Sequence, residues 1–339
     1  MERCEERHAR DLHEKLVTRM GFANPDVEIT LSGAGVHWNC FVALAKRSVV
    51  VHCFNALGEE YLSIFNHYDK EVATARTPSS DKTVDVVEGW IRGQDLPTLY
   101  DNFSFVDSRK RELTFLANAI VEHASGLENQ SNLQYRGSGI YDLWFRSGPR
   151  STLIHFYGNE DTARVICSWD ECPLFSFRAA DVLQTSSVLK LWLCDQAMPS
   201  TMRKEFSWLT IGRLADYYEN GNPVEGEFIN SWDQIEQFYD NDKFASSSRV
   251  SQFIAQLREE GYDQKLRAGQ SLMTFILSRS RRHGLRSEQP RIRFEFSWND
   301  DLMNATLQNG CEQSTLTARI LLSGEIRGLL NQMVELPID

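Results

Sequence analysis

Apolar and polar positions along the chain follow the same order of patterns twice. Each copy begins with an apolar stripe at helical spacing, continues with short segments that alternate apolar and polar residues, and ends with a second helical stripe. Spacings of three and four residues indicate one buried helix face, whereas alternation indicates a half-buried strand. The pattern predicts a first α/β module at residues 1–106 and a second at 107–207.

The two copies predict corresponding strands. In the first, strands are expected at 27–31, 36–44, 48–54 and 61–65, and the segment 71–76 also has strand character. In the second, they are expected at 133–136, 140–146, 151–157 and 163–169, and 175–177 also has strand character. Glycine-rich turns, such as Ser32-Gly33-Ala34-Gly35, separate strands. This turn lacks the Gly-Lys-Ser/Thr ending of a phosphate loop and precedes a strand, so no phosphate site is predicted there.

The end of the closing helix carries the clearest repeat. Three residues recur with a constant offset of 102: Trp90, Gln94 and Pro97 in the first copy, and Trp192, Gln196 and Pro199 in the second. A tryptophan in the apolar stripe of a helix predicts a large anchor packed against the sheet. The proline predicts the end of that helix. The motif is therefore interpreted as architectural.

A more diverged third module is predicted at 247–339. Its strands are expected at 264–268, 271–278, 291–296 and 302–307, and its closing helix at 319–334. Residues 208–246, which include helical patterns at 209–219 and 232–239, match neither copy. They are interpreted as a connector or an inserted segment.

These patterns predict an α+β fold of tandem repeats, two clear and one diverged. Each repeat is expected to be a two-layer sandwich of a helix, a four-stranded antiparallel sheet and a second helix, because the apolar face of a meander needs amphipathic helices to cover it. This order of elements resembles the small α/β modules of bacterial secretion chaperones and their YbjN-like relatives. The resemblance implies that the chain binds partner proteins rather than catalyses a reaction.

Composition narrows the class of protein. Lys and Arg total 36 against 47 acidic residues, a net charge of −11 that disfavours general adhesion to nucleic acid or anionic membranes. The sequence has no apolar run of about 20 residues to span a bilayer, and its charged first 15 residues lack the apolar core of a signal peptide. The seven cysteines form no Cys-x-x-Cys pair, which favours reduced thiols over zinc. We expect a cytoplasmic protein without membrane contact or cofactor.

Two histidines occupy equivalent positions on the third strand of the first two modules. They are His52 and His155, and Glu295 stands at this position in the third module. Because the two histidines belong to separate sheets, they are not expected to share a metal ion. A structural or solvated role is favoured, and a ligand or pH-sensitive role is the alternative. No nucleophile motif pairs a histidine with Cys53 or Cys167, so no catalytic, cofactor or metal residue is assigned.

The strongest candidate site is an arginine-rich segment between the second and third strands of the third module. Residues 279–293 carry Arg but no Lys, and their candidate anion or partner contacts are Arg279, Arg281, Arg282, His283, Arg286 and Arg291. The planar guanidinium fork suits phosphate and carboxylate. The alternative is a solvated hairpin whose arginines pair with the protein's own carboxylates. The segment has no interleaved aromatic residue, which disfavours stacking on single-stranded nucleic acid.

Three functional hypotheses follow. The first is a non-catalytic, chaperone- or adaptor-like scaffold that binds a protein partner or itself, because repeats build surface more readily than they build a catalytic site. The alternative is binding of an anion, a phosphorylated ligand or, less favoured, nucleic acid through the arginine-rich segment. The third is an enzyme with an inter-module site to which no residue is assigned.

Overall fold

The computed structural model describes residues 4–35, 37–54, 60–127, 130–137, 139–157, 160, 162–240, 247–282, 288–297 and 300–338. Within these residues it contains three five-stranded antiparallel sheets and ten α-helices, so the fold is mixed α+β as predicted. None of the described helices is long and apolar enough to cross a membrane. The chain divides into two compact units, residues 1–197 with 206–209, and residues 198–205 with 210–339.

The first sheet is a meander between two helices. Helix α1 (Cys4–Leu16) continues into a π-helical turn (Val17–Gly21) and precedes strands β1 (Glu28–Ala34), β2 (His37–Leu44), β3 (Arg47–Phe54), β4 (Glu60–His67) and β5 (Lys70–Thr77). Helices α2 (Ser80–Ile91) and α3 (Leu96–Asn102) follow. The Ser79 hydroxyl accepts a hydrogen bond from the Lys82 backbone N–H and so fixes the start of α2. Leu12, Val51 and Trp90 belong to one buried cluster, in which both helices cover the same sheet face.

The second sheet repeats this arrangement in the same unit. Helix α4 (Ser108–His123) precedes strands β6 (Ser131–Gly137), β7 (Ile140–Ser147), β8 (Arg150–His155), β9 (Arg164–Trp169) and β10 (Cys172–Arg178). Helix α5 (Val182–Leu189) then runs into a π-helical turn (Lys190–Cys194). Phe145, Ile154 and Trp192 are each fully buried.

The second unit contains the third sheet. Helices α6 (Pro199–Glu205), α7 (Leu214–Glu219), α8 (Pro223–Tyr239) and α9 (Ser247–Glu259) and a 3-10 turn (Tyr262–Gln264) precede strands β11 (Arg267–Ser271), β12 (Thr274–Ser278), β13 (Arg291–Phe296), β14 (Leu302–Asn309) and β15 (Glu312–Arg319). Helix α10 (Gly324–Val334) follows the sheet. Trp232 and Ile235 of α8 share a buried cluster with Phe275 and Phe294 of the sheet. Helix α8 thus helps to form this core. The module boundaries at 106, 207 and 246 remain predictions.

Each sheet has five strands where the predicted repeat has four. In the first two modules, the additional strands β5 and β10 fall where the sequence shows strand character. Strand β15 was not predicted, and the closing helix expected at 319–334 begins only at Gly324, after the capping residue Ser323. The reason is that β15 is an edge strand with mostly exposed side chains. Its sequence therefore carries little of the alternating pattern on which strand prediction depends.

Candidate functional site

The repeated tryptophan belongs to a capping contact at the end of each closing helix. Trp90 is 3% exposed and Trp192 is fully buried, as an architectural anchor requires. The guanidinium carbon of Arg47 lies 4.1 Å from the centroid of the Trp90 ring, and that of Arg150 lies 4.1 Å from the centroid of the Trp192 ring. The tryptophan is thus covered by an arginine from the first position of β3 or β8.

The same arginines each donate hydrogen bonds to one carbonyl group in the last turn of the closing helix and to one in the loop that follows it. Arg47 Nη1 donates to the carbonyl oxygens of Trp90 and Gln94, at 2.8 and 2.5 Å. Arg150 Nη1 donates to those of Trp192 and Ala197, at 3.2 and 2.5 Å. A cation at this end of a helix satisfies orphan carbonyls and favours the helix dipole. Burial lowers the pKa of Arg150 to about 10, so the side chain remains charged at neutral pH.

The sequence pattern revealed the tryptophan but not the arginine that covers it. Arg47 and Arg150 are offset by 103 residues, one more than the tryptophan, and this recurrence was the available signal. The prolines were interpreted as helix terminators, which is wrong. Pro97 lies in the first turn of α3 and Pro199 begins α6, where the fixed φ of proline favours helix initiation.

The two equivalent histidines have different surroundings. His155 Nδ1 lies 3.8 Å from Asp142 Oδ1, and Arg136 Nη1 lies 3.3 Å from the other carboxylate oxygen, Asp142 Oδ2. His52 is half-buried, and burial lowers its pKa. Burial also raises the pKa of Cys167 to about 12, so this thiol is protonated at neutral pH and is a poor nucleophile. In the described part of the chain, no group of three or more His, Cys, Asp or Glu side chains could hold a metal ion.

The arginine concavity is a cavity of about 460 Å³ on the outer face of the third sheet, over β11, β12 and β13. The described residues that line it are Arg267, Ala268, Gly269, Gln270, Ser271, Ile276, Ser278, Arg282, Arg291 and Arg293. Four of them are arginines and none is acidic. The described lining is therefore positively charged, whereas the whole chain has a net charge of −11.

Strand alternation places these side chains on the outer face. Along β13, Ile292 and Phe294 are buried in the core, so Arg291 and Arg293 point away from it. In register across the sheet, Arg267 pairs with Ser278, which pairs with Arg291.

The next outward-facing row consists of Gly269, Ile276 and Arg293. The small residues Gly269 and Ser278 lower the floor of the cavity between the longer arginine side chains.

The six predicted contact residues separate into four groups. Arg282 and Arg291 line the arginine concavity. Arg279 is instead bound to the protein's own backbone, because its Nε donates to the Leu336 carbonyl at 2.8 Å and its Nη1 to that of Lys265 at 2.7 Å. Arg281 pairs with an internal carboxylate. The remaining two, His283 and Arg286, lie outside the described residues.

Arg281 anchors the arginine-rich segment to helix α8. Its Nε and Nη2 donate to one carboxylate oxygen of Glu227, at 3.0 and 2.8 Å, and the Tyr218 hydroxyl donates to the same oxygen. Glu227 is only 4% exposed. Arg267 Nη1 in turn donates to the Arg281 carbonyl at 2.6 Å. The contacts with Glu227 therefore hold Arg281 in place. Its carbonyl accepts from Arg267 and its neighbour in the chain is Arg282, and both of these arginines line the concavity.

Two cavity arginines were not among the predicted contacts. Arg293 carries a detectable signal, since Arg291-Ile292-Arg293-Phe294 alternates charged and apolar residues in a strand. Its guanidinium also lies 2.8 Å from a carboxylate oxygen of Glu295. Arg267 is brought to the site by the pairing of β11 with β12, which local sequence does not reveal.

The comparisons with known proteins found no match: no protein-family model, no curated protein and no solved structure is significantly similar to this chain. The resemblance to secretion chaperones therefore rests on the order of elements alone. Function has to be argued from the geometry of the chain itself.

Proposed function

We propose that this protein binds an anionic ligand in the arginine concavity. The observation that carries the proposal is the presence of four arginines and no acidic residue among the described residues of its lining. The volume of about 460 Å³ lies within the usual range for small-molecule sites. A local basic cavity on a chain of net charge −11 creates a positive field where the average charge would repel anions.

The surrounding contacts hold the basic groups in place before a ligand arrives. Arg267, Arg282 and Arg291 are half-buried, which restricts their side chains and weakens screening by solvent. The buried Glu227 carboxylate fixes Arg281, which directly precedes Arg282. Such pre-organisation lowers the entropy lost when a ligand is bound.

The test is calorimetric titration with inorganic phosphate and pyrophosphate at low and physiological salt. Each of the variants Arg282→Ala and Arg291→Ala is expected to weaken binding about tenfold or more, because a charge-assisted hydrogen bond contributes roughly 1.5–3 kcal/mol. The exposed Arg319→Ala on β15 of the same sheet is the matched control and should bind as the wild type does. Absence of binding, or equal affinity in all variants, would refute the proposal.

A second candidate function, a protein-binding scaffold, is favoured by a different surface. On the outer face of the second sheet, Trp144, Leu153 and Ile166 are paired in register, half-buried and part of the lining of a cavity of about 410 Å³. Grouped apolar side chains on an outer face suit contact with a protein partner or with a second copy of the chain. The test is light scattering after size exclusion: a concentration-dependent dimer should be lost in Leu153→Asp and kept in Arg282→Ala. A protein that is monomeric at all concentrations contradicts self-association.

A further inference from the structure

The arginine concavity has two chemically different parts. One lies in the row where Arg267 and Arg291 flank Ser278, and Arg282, four residues after Ser278 in the chain, is a third arginine of the same cavity lining. The other begins one row further along the strands, at Gly269 and Ile276. Rows on the same face lie about 7 Å apart. A single small ligand therefore reaches both parts.

The second part offers an open floor with two uncharged residues beside one arginine. A Cβ atom built on Gly269 would meet no other atom within 4 Å, so the space above this residue is open. Ile276, its partner across the strands, presents an aliphatic side chain in the same row. Arg293 completes the row, and a guanidinium plane can stack on a ring that lies beside it.

We infer that the ligand of this site is a small phosphate monoester that carries a planar ring, a mononucleotide-like molecule, with the phosphate at Arg267, Arg282 and Arg291 and the ring over Gly269 and Ile276. The inference rests on the proposed anion binding and adds the chemistry of the rest of the ligand. A phosphate monoester is close to dianionic at pH 7 and offers three acceptor oxygens to the arginine forks.

A nucleic-acid strand suits this cavity less well than a single nucleotide. Proteins that bind single strands combine a basic groove with several aromatic side chains on which successive bases stack. None of the described lining residues is aromatic. The four arginines line one cavity of about 460 Å³, which suits one phosphoryl group better than a series of phosphates along a backbone.

The first experiment compares probes on the full chain by calorimetry. Inorganic phosphate, ribose 5-phosphate, adenosine monophosphate and a ten-nucleotide single strand without a terminal phosphate are titrated under the same conditions. Adenosine monophosphate should bind about tenfold tighter than ribose 5-phosphate, because stacking of the ring contributes to binding. The oligonucleotide should bind more weakly than the mononucleotide.

The second experiment fills the space over Gly269. The variant Gly269→Val adds a β-branched side chain that a strand accepts, at a position with room for it. It should weaken binding of adenosine monophosphate about tenfold and weaken binding of inorganic phosphate by a clearly smaller factor. The matched control, Ser314→Val, adds a valine to the exposed edge strand of the same sheet and should change neither affinity. Thermal unfolding of both variants checks that the fold is intact.

The outcomes separate this inference from the proposed function. If phosphate binds but adenosine monophosphate binds no tighter than ribose 5-phosphate and Gly269→Val has no effect, anion binding stands and the ring site is refuted. Tighter binding of the oligonucleotide than of the mononucleotide also refutes it, in favour of a polymer. If none of the probes binds to the wild type, both proposals fail.

Discussion

The outer faces of the three sheets differ where their inner faces agree. In the outward row across the middle strand, the first two sheets present only apolar residues, whereas the third presents a basic and a polar residue beside an isoleucine. The rows are Phe41, Val50 and Ile64 in the first sheet, Trp144, Leu153 and Ile166 in the second, and Ile276, Arg293 and Thr306 in the third. The preceding outward position of the same strand is Ser48, Ser151 and Arg291. The third sheet thus carries two arginines at positions that are uncharged in the other two sheets.

The contrast separates the arginines whose contact recurs in every module from those that only the third sheet carries. Arg47, Arg150 and Arg279 all donate to backbone carbonyls near the C-terminus of the helix that closes their module. This contact is present in every module, as expected if it stabilises the shared architecture. Arg291 and Arg293 have no arginine counterpart in the first two sheets, so they are specific to the third module.

The largest expected effect comes from removing a structural arginine. Arg150→Ala should lower the free energy of unfolding by roughly 3–5 kcal/mol, because it removes the donor to the Trp192 and Ala197 carbonyls and leaves a void beside Trp192. Chemical denaturation followed by tryptophan fluorescence measures this loss. Arg47→Ala, at a half-buried position, should cost less. A loss below about 1 kcal/mol for Arg150→Ala would show that the capping contact is dispensable.

The next effect tests the anchor beneath the arginine concavity. Glu227→Gln keeps the shape of the side chain but removes the charge that Arg281 and Tyr218 contact, and should cost about 2 kcal/mol of stability. It should also weaken phosphate binding, since Arg282 is the next residue in the chain. An exposed acidic residue of the same unit, changed by Glu312→Gln, is the control. Unchanged phosphate affinity in a destabilised Glu227→Gln protein would separate the anchor from the site.

An exchange between the second and third sheets sharpens the comparison directly. Arg293→Leu gives the third sheet the residue of the second and should reduce the affinity for adenosine monophosphate by about tenfold, with a stability change within roughly 0.5 kcal/mol. Leu153→Arg gives the second sheet one arginine without the partners that Arg267 and Arg282 supply, so it should not create a phosphate site. Titration of both variants measures these effects. Equal affinity in Arg293→Leu and wild type would remove Arg293 from the site.

The smallest expected effect is a pH dependence at the histidine position of the first sheet. Burial lowers the pKa of His52 below its ordinary 6.5, so the folded state takes up a proton less readily than the unfolded chain. The stability that neutral His52 contributes is present above pH 6.5 and is lost as the pH falls through 6.5 towards the lower folded value. Denaturation at pH 7.5 and 5.5 should show a smaller difference in His52→Gln than in wild type, and the exposed His37→Gln is the control. An identical difference in all three proteins would contradict this assignment.

Local pattern predicted the repeated sheets because burial imposes a period on the sequence. Val49 and Val51 alternate with outward residues, and Leu113, Leu116 and Ile120 share one helix face, so each element carries its own signal. Strand β15 carries little of that signal because its side chains are mostly exposed. Its position follows from pairing with β14, which is a property of the sheet rather than of the segment.

The candidate site was predicted only in part because its residues meet through non-local pairing. The density of arginine in 279–293 pointed to Arg282 and Arg291, but the same density included Arg279 and Arg281, which the fold uses internally. The internal role of Arg279 depends on Leu336 and that of Arg281 on Glu227, each more than 50 residues away in the chain. Composition indicates that a segment is basic, and only the register shows which of its charges face outward.

The strand order of each sheet has a consequence for how quickly the chain folds. Because every strand pairs with its neighbour in sequence, contacts within a sheet are short-range, and topologies of this kind fold fast for β structure. The connection between β12 and β13 is the longest of the third sheet, with 12 residues where β11 and β12 are joined by two. Closing the longer loop costs about 1.6 kcal/mol more in chain entropy. The hairpin that carries the arginines should accordingly be the slowest of the third sheet to form, and its nucleation should limit the folding rate of that sheet.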